Sequence, residues 1–244
     1  MRNRPITARW IAGIFLAAAV AVIPVMGQDL LNSEETTPRK KYGFYIGVHM
    51  TQFSVGEDFD GVSVVVPANV EGFIMPSFQS TRALGFSLGA GTGRGGRDRF
   101  SVELRYSQAK PDAVFAEGTA SEMHPATKAS NWSVSARYMY TEWFLQPYFR
   151  AGLSYSRLRV ADGAIAEDGT TGDAVFIGGG VEIALGLAIW LQPCFSIFAE
   201  GSYDSMDYRN VKGMTGDAWS TVGQDGSGLV AGGLRYAIGI QFMY

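Results

Sequence analysis

Seven charged side chains form the best-defined chemical constellation in this sequence. Glu103, Arg105, Arg137, Arg150, Glu182, Glu200 and Arg235 are interleaved with a regular apolar series, and the positions that share their phase are mostly glycine, serine and alanine. Four arginines against three glutamates are close to balanced. Gathered in one enclosure, they would either pair into a network that fills it or line a narrow polar pore. Mutual pairing would offset the cost of taking them out of water, and this favours the filled enclosure. Other chemistry is thin. The two histidines, His49 and His124, have no nucleophile at a compelling spacing, so no catalytic residue is assigned. Two distant histidines make no metal site, and no cofactor is expected. The lone cysteine, Cys194, is assigned a packing role. The stretch from Gly91 to Gly96 matches GxGxxG, but the residues that follow, RFSVELRY, alternate as a strand. A dinucleotide site needs a helix there, so a hairpin turn is the better reading.

The elements that carry these charges have a period of two, the mark of a strand. Phe44, Ile46, Val48 and Met50 alternate with Gly43, Tyr45, Gly47 and His49. Leu84, Phe86 and Leu88 alternate with Gly85, Ser87 and Gly89. Phe100, Val102, Leu104 and Tyr106 alternate with Ser101, Glu103, Arg105 and Ser107. Trp132, Val134, Ala136 and Tyr138 alternate with Ser133, Ser135 and Arg137. Four further segments, near 149–156, 175–189, 195–203 and 230–244, repeat the scheme. All seven charges fall on the small-residue face and none on the apolar face. A soluble sandwich would place lysine and aspartate freely on its polar face. Small residues with a few balanced charges suit the crowded interior of a narrow closed barrel. The apolar face then points outward to lipid, where a mid-depth charge costs about 2–4 kcal/mol.

Composition agrees. The chain has 244 residues, 31 of them glycine, with 13% aromatic and only 18% charged residues. Its mean hydropathy is close to neutral, too low for a multi-span helical membrane protein. Residues 1–27 have the organisation of a secretory signal: Arg2, Arg4 and Arg9, then an apolar run from Trp10 to Ile23, with cleavage after Gly27 or Gln28. The apolar run falls short of a spanning helix. No cysteine near the cut suggests a lipid anchor. Without this segment, 17 basic residues face 23 acidic ones, a net charge of −6 that excludes a nucleic-acid partner. Residues 28–41 read as a polar periplasmic linker, and 42–244 as the barrel.

The expected connections alternate long and short: 54–80 long, 92–98 short, 111–128 long, 145–146 a turn, 161–173 long, 191–193 a turn, 209–226 long. This alternation predicts surface loops at one end and periplasmic turns at the other, with both termini periplasmic. Aromatic residues cluster near the strand ends as interfacial girdles. Tyr42, Phe44, Phe100, Phe144, Phe149, Trp190, Phe195, Phe242 and Tyr244 belong to the short-turn end. Tyr106, Trp132, Tyr155 and Tyr203 belong to the other. The first long loop is too apolar for a simple solvated loop. It either extends the strands as a hairpin, folds over the mouth, or forms a rim site for a hydrophobic ligand from Val64, Val65, Val66, Phe73, Ile74 and Met75.

The closing stretch GLRYAIGIQFMY, with Tyr236, Ile238, Ile240, Phe242 and the final Tyr244 in one phase, resembles the C-terminal strand recognised by the bacterial barrel-assembly machinery. With the leader and strand plan, the chain resembles the small eight-stranded outer-membrane barrels of the OmpA, OmpX and OmpW kind, the porin-family β-barrel domains. The resemblance covers 42–244 and lies in patterns rather than fixed residues, so it speaks to architecture more than to role. The expectation is an all-β, closed, eight-stranded antiparallel up-and-down transmembrane barrel in the outer membrane of a Gram-negative-type bacterium. It would be a monomer, surrounded by outer-membrane lipid and inserted by the assembly machinery. No peptidoglycan-binding domain of the OmpA kind follows, so no cell-wall tether is expected. The expected role is structural and non-enzymatic: supporting the envelope and displaying loops. The alternatives are a narrow channel or carrier for small or apolar solutes, a surface adhesin, and a soluble lipid-binding barrel of the periplasm.

Overall fold

A computed structural model describes residues 42–53, 56, 59, 64–65, 72–74, 76–92, 98–114, 125–140, 145–166, 168–192, 194–214, 216–219 and 228–243. Eight long strands carry the fold: β1 (Tyr42–Phe53), β2 (Thr81–Thr92), β3 (Asp98–Ala109), β4 (Thr127–Tyr140), β5 (Leu145–Ile165), β6 (Thr171–Gln192), β7 (Phe195–Lys212) and β8 (Leu229–Met243). Each pairs antiparallel with the next, and β8 returns to β1 with Ile46 opposite Phe242 and Val48 opposite Ile240. The sheet therefore closes on itself and leaves no long edge unpaired.

Alternation puts the apolar phase outside. Leu185 is 70% exposed, Leu234 64% and Tyr236 61%, while Arg150 and Ser196 on the opposite phase are fully buried. From Leu234 to Phe242, a nine-residue stretch of β8 turns five side chains to this exterior, and nine residues is the length of a tilted strand crossing a bilayer. An exterior of this kind is stable only in hydrocarbon, because so large an apolar surface in water would drive association.

The two faces exchange character partway up the wall. On β5, Phe149, Leu153 and Tyr155 point outward and Arg150, Ser154 and Ser156 inward. Above them Arg157 and Arg159 point outward and Leu158 and Val160 inward. On β4 the switch falls between Trp132 and Ala129, on β3 between Tyr106 and Ala109, and on β7 between Tyr203 and Met206. Below the switch the surroundings are lipid and the inside is polar. Above it the surroundings are water and the inside becomes an ordinary apolar core. Phe53, Leu158, Val160, Phe176, Met206, Tyr208, Val211 and Leu229 form that upper core.

The structure revises several expected boundaries. The third expected long loop, 161–173, is mostly strand: β5 and β6 run 21 and 22 residues and rise well above the switch level. Asp217–Trp219 also pairs with β7, so the last long connection is partly sheet. Leu145 and Gln146 lie in β5 rather than in a turn, and β6 continues through Gln192. Trp190 points inward, where its indole N–H donates to Gln146 Oε1 at 2.7 Å. It is not part of a girdle.

The first long connection folds back into the barrel mouth. Gly72–Ile74 pairs with the top of β5, where β4 has ended and left an edge free, and Val64–Val65 pairs in turn with Phe73 and Ile74. Ser77–Phe78 pairs with Ala113–Val114 of the next connection. Phe59 lies 5.5 Å from the rings of both Phe176 and Tyr208, and Phe73 lies 6.5 Å from Phe176. Of the three expected arrangements of this loop, the described residues match a hairpin that folds over the mouth.

Candidate functional site

The inward phase of the strands brings six of the seven expected charges together at mid-height. Arg105 Nη1 and Nη2 bind the Glu200 carboxylate at 2.7 and 3.2 Å, and Arg105 Nε contacts Glu103. Arg150 grips Glu182 with two nitrogens at 2.6 and 2.8 Å and reaches Glu200 Oε1 at 2.7 Å. Arg137 lies 3.6 Å from Glu103. Three guanidinium groups thus share three carboxylates, with two-pronged geometry at the strongest pairs. Charge balance and multiple hydrogen bonds are what make such burial tolerable.

Arg235 stands apart from this cluster. It pairs one level higher with Asp204, at 2.8 Å. Asp204 is fully buried and also accepts a hydrogen bond from Ser154 Oγ at 3.1 Å. Extending the Ser196, Glu200, Ser202 phase by one more step would have placed Asp204 in the lumen. Two tyrosines complete the network. Tyr45 Oη donates to Glu103 at 2.6 Å, and Tyr148 Oη donates to Glu200 at 3.0 Å. The Arg137 guanidinium lies 3.8 Å from the Tyr148 ring centroid, a cation–π contact. The glycines opposite make room: a Cβ at Gly89 would collide with the Tyr45 ring, and one at Gly186 with the Tyr148 ring. Inward aromatics face glycines across the strands, and this pairing was the readable signal for the two tyrosines.

Below the network, a cavity of about 20 Å³ lies among Tyr45, Arg99, Ser101, Arg137, Trp190 and Gln241. It has room for about one water molecule. Arg99 lies 4.9 Å from the Trp190 ring centroid. Above the network the apolar core closes the section. Charged side chains and packed rings therefore obstruct the interior at successive heights.

His49 points inward on β1 and is 4% exposed. His124 lies outside the described residues. Cys194 is exposed in the turn between β6 and β7, so it has no buried packing role. Among the described residues, no cluster of three or more metal-binding side chains occurs. Of the expected rim site, Phe73 is buried in the upper core. Val64, Val65 and Ile74 are described in backbone alone, and Val66 and Met75 lie outside the described residues. Of the closing signal, Tyr236, Ile238, Ile240 and Phe242 point outward on β8, and Tyr244 lies outside the described residues.

Known proteins share this architecture. The chain is similar in fold to the outer membrane protein OprG from Pseudomonas aeruginosa, with 13% identity over 84% of this chain and 97% of that one and a TM-score of 0.50. It also matches Ail, the attachment invasion locus protein of Yersinia pestis, solved in complex with the heparin analogue sucrose octasulfate. There the identity is 13% over 84% and 99% of the two chains, with a TM-score of 0.46. Neisserial surface protein A is 18% identical over 82% and 96%, with a TM-score of 0.42. No curated protein is similar to the chain in sequence. The family model described as "Outer membrane protein beta-barrel domain" matches residues 15–222, and β8 completes the ring beyond them. A closed eight-stranded ring with an apolar exterior and this match over most of its length place the chain in the outer membrane protein β-barrel domain family, as a small barrel of the bacterial outer membrane.

Proposed function

We propose that this protein is a monomeric structural barrel with a closed lumen and no catalytic turnover. In this reading the long-loop end faces the cell exterior, and the short turns and both termini face the periplasm. Outer-membrane lipid surrounds the barrel, and the assembly machinery reads the outward phase of β8. The observation that carries the proposal is the Arg105–Glu200–Arg150–Glu182 network across the middle of the lumen. Eight strands leave an interior that side chains can fill, and here paired charges occupy it while Phe59 and Phe73 pack into the mouth. Planar-bilayer recording of the purified protein tests this. No steady conductance is the expected result, and a large, steady conductance would overturn the closed-lumen reading.

One observation favours a second reading, a carrier for small apolar solutes. The upper chamber is walled by Leu158, Val160, Phe176, Val211 and Leu229, and first-loop side chains fill it. If that loop is a displaceable stopper, removing residues 62–78 should raise uptake of small apolar compounds. Unchanged uptake would eliminate the carrier.

A further inference from the structure

The outer wall of β2 to β5 carries an ordered arrangement that lumen chemistry does not explain. Register places Phe86, Tyr106, Trp132 and Tyr155 side by side in one row across four strands. The Tyr106 and Trp132 rings are 4.5 Å apart. Two residues further along the strands, Gln108, Ser130 and Arg157 form the next outward row. Beyond it, Lys128 lies directly opposite Arg159. Arg82, two residues past Leu84 on β2, and Lys110, two past Gln108 and just beyond the end of β3, continue the same rows. All five cations are exposed.

Like charges placed opposite each other destabilise a sheet. Asp173 pairs with Arg159 and relieves one of them. Among the described residues, Arg82, Lys110, Lys128 and Arg157 have no ion pair. The described upper parts of β7 and β8 differ: on β7 Arg209 is already paired with Asp207 and Lys212 is engaged in an interaction of its own, and β8 presents Val230 and Gly232. The cations thus form an arc over one side of the barrel. They begin two residues, about 7 Å along the strand, above the aromatic row. On β3, β4 and β5 that row holds the last outward apolar side chains, and on β2 the exposed Leu84 lies one step above it, directly before Arg82, so the arc lies at headgroup depth. Its arginines have the planar fork that suits phosphate oxygens.

We propose that this arc binds a phosphorylated lipid of the surrounding leaflet. The acyl chains would lie against Phe86, Leu104, Trp132 and Leu153, and the phosphates would meet Arg82, Lys110, Lys128 and Arg157. A lipid is favoured over a soluble polyanion because the cations continue directly from the hydrocarbon-facing wall. The outward orientation proposed above decides only which leaflet supplies the lipid.

Native mass spectrometry of the full chain in detergent tests the site. The probes are bisphosphorylated lipid A, its monophosphorylated form and phosphatidylethanolamine. The wild type should retain them in that order, less so as salt rises. Each surface cation contributes about five-fold to the affinity for anionic lipid. The fourfold variant Arg82→Gln/Lys110→Gln/Lys128→Gln/Arg157→Gln should therefore bind lipid A at least about a hundred-fold more weakly. If that variant does not show the unheated gel mobility of a folded barrel, Lys128→Gln/Arg157→Gln should still weaken binding by about twenty-five-fold. Arg209→Gln should leave binding unchanged. Equal retention of phosphatidylethanolamine and lipid A, or undiminished binding by the folded variants, would overturn the site. Tighter binding of dextran sulfate than of lipid A would assign the arc to a soluble polyanion and overturn the lipid. Because detergent has no sidedness, these results are independent of orientation, which cysteine labelling of intact cells reads separately.

Discussion

Glutamine in place of Glu200 keeps the side chain's volume and removes one negative charge from the centre of the lumen. Glu200 accepts from Arg105 and Arg150, each at 2.7 Å at its nearest, and from Tyr148 at 3.0 Å. At an effective dielectric of about 20, each ion pair at that separation corresponds to roughly 6 kcal/mol of attraction. Relief of repulsion from Glu103 and Glu182, together with the carboxylate's own desolvation, offsets more than half of the combined attraction. The remainder is the ~3–5 kcal/mol typical of breaking a buried pair, because a guanidinium is left uncompensated. With a urea slope of about 2 kcal/mol/M, the unfolding midpoint in lipid vesicles should fall by roughly 2 M. The change can be followed by the difference in gel mobility between unheated and heated samples. The double variant Arg105→Gln/Glu200→Gln restores charge balance and should lose less than the sum of the single variants. A Glu200→Gln midpoint within about 0.3 M of wild type, or strict additivity in the double variant, would refute the view that the network holds the lumen together.

Three further outcomes are expected. Leu185→Arg, at the most exposed point of the outer wall, should cost about 2–4 kcal/mol of folding stability in vesicles; a loss below about 1 kcal/mol would mean that this wall is not in hydrocarbon. Phe176→Ala removes the ring that both Phe59 and Phe73 pack against and should cost about 3–5 kcal/mol. The same change should speed proteolysis within 54–80, and an unaltered cleavage rate would show that the loop is not anchored there. In the turn between β5 and β6, the Thr170 hydroxyl and backbone N–H both donate to Asp168 and hold its carboxyl below the usual aspartate range. A depressed folded value means that this support is present above the unfolded pKa and is lost as pH falls through the folded value. Thr170→Val should return the NMR titration midpoint of Asp168 toward an ordinary aspartate, and an unmoved midpoint would exclude the hydroxyl as the cause.

The alternation of β1 to β4 could be read residue by residue, because a barrel wall between lipid and a polar lumen changes polarity at every step. The upper halves of β5 and β6 could not be read in this way. On β5 the apolar residues move from odd positions, 149 to 155, to the even positions 158 and 160. A shift of one residue in phase resembles the end of a strand, although the backbone continues. On β7 the shift from Tyr203 to Met206 had the same effect, and Asp204 lies just before it. Residue type alone points Trp190 to a girdle, whereas its phase on β6 turns it to the inside, where it bonds Gln146.

By itself, the sequence determined the number of strands, the inward face of each and seven of the charges that face inward, with Asp204 and Arg99 left out. A period of two assigns every side chain to a face without reference to any partner. The tertiary structure decided which of those charges meet. Ring closure and strand stagger set their relative heights, so Arg150 reaches Glu182 on β6 and Glu200 on β7, while Arg235 pairs with Asp204. It also decided where the wall leaves hydrocarbon. That height depends on all eight strands together, and a single strand shows it only as a change of phase.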